Sequence, residues 1–184
     1  MGSELVERAQ RGDREAFGAL ANAAYHRLYR IARRILRDGY AAEDAVQEAL
    51  IHAWRDVRGL RDRDRFDAWL NRLLVNACRD QQRRSQRRVI EVEVGDADPD
   101  RDDDIARVID RDELEQAFLR LSVEHRAVLV LTHHVGMSAA EIADVLRIPT
   151  GTVYSRLHYG EAAMRDALAP SPAARQAPVP EHRP

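Results

Sequence analysis

Apolar residues in this chain return every three or four positions and almost never every second one. Leu28, Ile31, Ala32, Ile35 and Leu36 keep the helical period up to Asp38-Gly39, where the glycine is expected to stop the helix. Val46, Leu50, Ala53, Trp54 and Val57 repeat the pattern in a third helix. After the irregular "RGLRDRDR", Phe66, Trp69, Leu70, Leu73, Leu74 and Ala77 share one face of a fourth. An earlier segment, with Ser3 or Asp13 as cap, carries Phe17 and Leu20. One apolar face per helix has to be buried against other helices, and aromatic residues at 5% are too few for a typical β-sandwich. The expected fold class is all-α.

The pattern breaks once, and the break coincides with a change of charge. Residues 1–88 hold 19 Arg against 13 Asp and Glu, residues 89–116 hold 3 against 12, and residues 117–184 hold 7 against 6. The net charge of -2 therefore conceals a basic block and an acidic one. All 29 basic residues are arginine, whose planar fork suits phosphate. Five of them stand in "RDQQRRSQRR", more than a helix C-terminus needs to satisfy its dipole, so nucleic acid becomes a candidate partner. The following "VIEVEVGDADPDRDDD" has Gly, Pro and clustered Asp, and reads as a linker. Two small helical domains are expected: residues 1–88, then an acidic linker at 89–104, then a second domain at 105–168. The tail at 169–184, "APSPAARQAPVPEHRP", buries too little to fold.

In the second domain, Ser122 is positioned to cap a helix containing the apolar "RAVLVLTHHV", which Gly136 closes. Ser138 and Glu141 have the S-x-x-E spacing of a capping box. Ile142, Ala143 and Leu146 then face inward, Ile148 plugs a turn, and Val153 and Leu157 anchor a second short helix with Thr150 as expected N-cap. That is a helix-turn-helix, whose second helix buries one edge and leaves Thr152, Tyr154, Ser155, Arg156, His158 and Tyr159 outside. An α-helix fits the major groove, and a recognition helix presents its first turns to base edges.

Other chemistries find less support. A single cysteine, Cys78, rules out an internal disulfide and a multi-cysteine zinc site. His125, His133, His134 and Glu141 could suggest a metal protein, but adjacent histidines on a helix point about 100° apart, and no H-E-x-x-H is present. No Ser/His/Asp set and no glycine-rich phosphate loop occurs, so an enzyme is not expected, nor a cofactor. No apolar run approaches the roughly 18 residues of a membrane span, and "MGSELVERAQ" lacks the regions of a signal peptide, so a cytoplasmic location is expected.

Three segments together resemble one family, the bacterial RNA polymerase sigma factors of the extracytoplasmic-function (ECF) group. "AAEDAVQEALIHAW" resembles its polymerase-binding segment, "DRFDAWLNRLLVNACRDQQRR" its promoter-melting segment, and "SAAEIADVLRIPTGTVYSRLHYG" its upstream-element reader. The resemblance implies a sigma-2-like and a sigma-4-like domain that bind core RNA polymerase, at its β′ clamp helices and β flap, and read the minus-10 and minus-35 elements of promoter DNA. It places polymerase binding on Asp44, Gln47 and Glu48. It places minus-10 binding on the loop from Arg58 to Arg65 and on Asn76, with Arg79, Arg83, Arg84, Arg87 and Arg88 along phosphates. It places minus-35 binding on Thr152, Tyr154, Ser155, Arg156, His158 and Tyr159. Tyr154 and Tyr159 replace residues that are often basic in the family, and Arg147 occupies a turn position that is often Gly. An anti-sigma factor is a further candidate partner. Trp69 shares the Phe66 and Leu73 face and reads as core before base-stacking.

Two alternatives stay open at this level. A free-standing helix-turn-helix regulator acting without polymerase would account for 138–160 alone. Separately, Asp96, Asp98, Asp100 and Asp102 to Asp104 could fold onto the Arg79 to Arg88 stripe and mask it.

Overall fold

The computed structural model describes residues 2–92 and 116–168. Among the described residues every regular element is a helix. The first unit contains α1 (Gly2–Gln10), α2 (Arg14–Leu36), α3 (Gly39–Asp56) and α4 (Phe66–Val92), with two 3-10 turns, Val57–Gly59 and Arg63–Arg65, between α3 and α4. The second contains α5, described over residues 116–120, then α6 (Val123–His133), α7 (Ala139–Leu146) and α8 (Thr150–Leu168).

The helix ends follow from side chains that satisfy unpaired backbone N–H groups. Asp13 accepts from Ala16 N–H at 3.0 Å to start α2, and Asp38 accepts from Ala41 N–H at 2.9 Å to start α3. Gly39 is thus the first residue of α3, and the expected glycine stop is corrected: Arg37 takes the left-handed conformation, with φ 63°, and ends α2. Asp38 is needed as a cap immediately afterwards, which leaves Arg37 to make the reversal. Ser122 caps α6 and Ser138 caps α7, the latter in a complete capping box with Glu141. Arg147, with φ 51°, makes the left-handed turn out of α7. Thr150 is the first helical residue of α8 and not its cap; the Pro149 carbonyl accepts from Thr152 and Val153. Helix α4 continues to Val92, so residues 89–92, read as the start of the linker, are helical. The proposed aspartate contact at 96–104 and the tail at 169–184 lie outside the described residues.

In the first unit, Ala42, Ala45, Ala49 and Ala53 give α3 a seam of small buried side chains. Against it pack long ones from α2 and α4, among them Leu28, Ile31, Ile35, Leu70 and Leu74. Large residues facing small ones fill the space between helices without voids. Phe17 meets Trp54 at 5.1 Å between ring centroids, and Phe66 meets Trp69 at 5.8 Å.

The two units do not stand apart. Helix α6 packs on α2 and α4 as well as on α7 and α8, and α7 packs on α4. Buried side chains of both units, Cys78 and Val75 on one side and Val128 and Leu131 on the other, belong to one continuous apolar cluster. Polar ties between described residues border it. Arg65 pairs with Asp144, Arg79 lies 3.7 Å from Glu124, and Arg126 donates to Gln82 at 3.0 Å.

Candidate polymerase and nucleic-acid interface

Asp44, Gln47 and Glu48 form one stripe on α3, because positions three and four apart share a helix face. Asp44 and Gln47 are exposed, and Glu48 is half-buried. Ile51 continues the stripe one turn on and is half exposed, an apolar group in a charged surface that the sequence reading left out. Its only sequence signal is that it stands off the Val46, Leu50, Ala53 face. Glu48 is not free: its two oxygens accept from both terminal nitrogens of Arg84 at 3.0 Å. The α3 stripe and the α4 arginines are therefore neighbours.

Of the α4 candidates, Asn76 is exposed and accepts from Arg79 at 3.3 Å. Arg79 is half-buried against Glu124 of α6, and burial holds its guanidinium below the ordinary arginine range. Arg83 lies 3.8 Å from Asp80, and Arg87 is exposed. Arg88 is in α4, but its side chain is outside the described residues. The sequence stripe is one run of charge; in the fold its members have different partners.

Arg58 is exposed in the Val57–Gly59 turn. The loop that it opens borders a cleft of about 820 Å³ between the units. Arg55, Arg61, Arg65 and Arg72 line it from the first unit, and Arg147 from the second. Burial, then the neighbouring Arg147, hold Arg72 below the usual arginine range. Trp69 is half-buried: it packs on Phe66 and also reaches the cleft wall beside Leu60 and Ala68. The expectation of core before base-stacking meets a side chain that does part of each: packed on the core and open to the cleft.

In α8, Val153 is fully buried and Leu157 partly so, fastening the helix as expected. Gly160 sits so close to α6 that an added Cβ would lie 2.9 Å from Leu129 Cδ1. Tyr154, Ser155, His158 and Tyr159 are exposed, while Thr152 and Arg156 are half-buried. The Ser155 hydroxyl donates to the Thr152 carbonyl at 3.1 Å. Arg156 turns back toward α6, where its Nη1 is buried without a hydrogen-bond partner among the described residues. It stands near Glu124, and burial works against that carboxylate's charge. Hydrogen bonds from the Glu124 backbone and the Ser122 hydroxyl, with Arg79 and Arg156 nearby, nevertheless hold its carboxyl below the ordinary value. The other polar candidates on this domain serve separate local contacts: His133 meets Glu161 at 3.0 Å, Glu141 closes the α7 cap, and His125 lies against Tyr159.

Among the described residues the chain is a multi-helix unit followed by a helix-turn-helix unit, an arrangement suited to binding DNA. The sigma-70 region 2 family matches residues 20–88, and the sigma-70, region 4 family matches residues 111–164. The RNA polymerase sigma-H factor of Pseudomonas aeruginosa is 33% identical over 180 residues, 91% of this chain and 93% of that protein. The ECF RNA polymerase sigma factor SigL of Mycobacterium tuberculosis is 37% identical over 168 residues, 85% of this chain and 93% of that protein. Among solved structures, CnrH in complex with the cytosolic domain of CnrY is similar with a TM-score of 0.64 and 27% identity, covering 92% of this chain and 98% of that one. The chain belongs to the ECF RNA polymerase sigma factors.

Proposed function

We propose that this sigma factor binds core RNA polymerase, brings it to specific promoters and assists strand opening, with all bond-making left to the polymerase. In this reading the unit at 1–88 meets the β′ clamp helices through Asp44, Gln47 and Glu48. It takes the minus-10 strand through the Arg58 to Arg65 loop, Asn76, and Arg79, Arg83, Arg84, Arg87 and Arg88. The unit at 105–168 meets the β flap and reads the minus-35 element through Thr152, Tyr154, Ser155, Arg156, His158 and Tyr159. A melted strand offers unstacked bases, and a cleft with five arginines and an aromatic wall is suited to them. The protein is proposed to work in the cytoplasm; among the described residues no helix is long and apolar enough to cross a membrane. An anti-sigma factor is proposed as a further partner.

The observation that carries the reading is the adjacency of the α3 stripe to the α4 arginines, joined by Glu48 and Arg84. It supports a reading in which polymerase and DNA contacts lie side by side, which a free-standing regulator would not require. Pulldown of core polymerase is the direct test. The full chain should retain it, and D44A/Q47A should reduce retention about tenfold or more, as expected when central interface groups are removed. Run-off transcription from genomic fragments should start at defined sites sharing two upstream elements. Absence of both retention and run-off overturns the reading.

A further inference from the structure

The outer face of α8 is not supported by α8 alone. Tyr159 is 60% exposed, and an exposed tyrosine would ordinarily move among several side-chain rotamers. Here its ring meets that of His125, at 4.8 Å between centroids and tilted by 35°. His125 belongs to the first turn of α6, outside the helix-turn-helix pair.

His125 is itself held. The Ser122 hydroxyl oxygen, the cap of α6, accepts from the His125 N–H at 3.3 Å and lies 2.7 Å from His125 Nδ1. The Ser122 hydroxyl and the imidazole are thus joined at Nδ1, whichever of the two carries the shared proton. Burial, then the neighbouring Arg156, hold the ring's pKa below the ordinary histidine value and so favour the uncharged ring. A neutral ring can lie against the phenol face without bringing a hydrated charge under it. The chain of fixed groups thus runs from the cap of α6 through His125 to Tyr159. Arg156, one turn before Tyr159, points into the same corner.

Resting on the reading of α8 as the minus-35 reader, we propose that His125 is a specificity-determining positioning residue, whose ring fixes the Tyr159 phenol against the minus-35 DNA. A fixed phenol presents one O–H and one ring edge in a constant direction, so the bases it meets are discriminated; a freely rotating one would average over neighbours. His125 acts through Tyr159 and need not touch DNA.

The test uses full-length protein in holoenzyme with core polymerase, transcribing a promoter library with a constant minus-10 element and a randomised minus-35 element. H125A should lower transcription from the best minus-35 sequences by about threefold to tenfold, the range of an aromatic pair contact. It should flatten base preference at the same positions that Y159A flattens. H125F should restore most of that preference, and H125A/Y159A should be no worse than Y159A alone. Thermal melting of each variant separates these effects from unfolding. An H125A profile equal to wild type, with Y159A altered, overturns the inference and leaves the reading of α8 intact. H125F as poor as H125A, with unchanged melting, overturns it as well. If Y159A and R156A both leave the profile unchanged, the minus-35 reading of α8 fails and the inference falls with it.

Discussion

At the scale of single residues, several arginines that read as free surface charge are held by carboxylates. Arg84 is half exposed, yet Glu48 holds it with two parallel bonds, and that pairing raises its pKa above the ordinary arginine value. Exposed pairs of this kind contribute little, so a phosphate can take the arginine over. In holoenzyme, R84A should weaken promoter binding almost equally across sequences and reduce the slope of log affinity against log salt by about 1. A salt titration with an unchanged slope would place Arg84 off the DNA. The partners of Arg79 and Arg84 could not be read from "RDQQRRSQRR", because Glu124 and Glu48 come from distant segments. Arg37 and Arg147 illustrate the same limit: both are left-handed, although no local preference of arginine favours it.

At the scale of helices, the sequence was far more legible, because caps and apolar faces are local. Ser122, Ser138 with Glu141, and Asp13 all cap helices as their spacing suggests. The stop assigned to Gly39 falls two positions earlier at Arg37, the cap assigned to Thr150 falls one position off, and Ser3 lies inside α1. S138A removes the hydroxyl that accepts from Glu141 N–H and should cost about 1 kcal/mol, read as a lower melting temperature. Hydrogen bonds from Ala16 N–H and the Arg8 side chain hold the Asp13 carboxyl below its ordinary 3.8. Those from the Ser138 hydroxyl and N–H hold Glu141 below 4.5. Because the folded values are the lower ones, this stabilisation is complete above about pH 4.5 and is lost as pH falls through them. His125 and His134 are also lowered, chiefly by burial, from 6.5. The unfolded chain therefore takes up their protons first, and stability should begin to fall below about pH 6.5. Urea melts between pH 7 and pH 3 should show both declines, the first of them smaller in H125F.

At the scale of the whole molecule, the packing of one unit on the other had no sequence signal. The apolar run "AVLVL" in α6 reads as the centre of one small core, and periodicity does not say that α2 and α4 share it. Arg126 gives the clearest case. It looks like a surface residue, yet it is 3% exposed and reaches across to Gln82. Substitutions at the rim should loosen the pair of units without unfolding either. E124A/D144A removes the carboxylates facing Arg79 and Arg65, and should enlarge the radius of gyration in solution scattering while helix content by circular dichroism stays constant. An unchanged radius would assign the closure to the apolar cluster together with the Arg126–Gln82 bond.

Cys78 turns this closure into something a chemist can time. The chain's one thiol lies in α4, one turn before Gln82, with Arg126 of α6 beside it, and burial pushes its pKa up to about 12. Alkylation requires the thiolate, so at pH 8 iodoacetamide should react with the folded chain on the order of a thousandfold more slowly than with the chain in urea. Core polymerase should quicken the reaction to the extent that it draws α6 away from α4. The rate of one covalent bond then serves as a stopwatch for the parting of the two halves, with no label added to the protein beforehand.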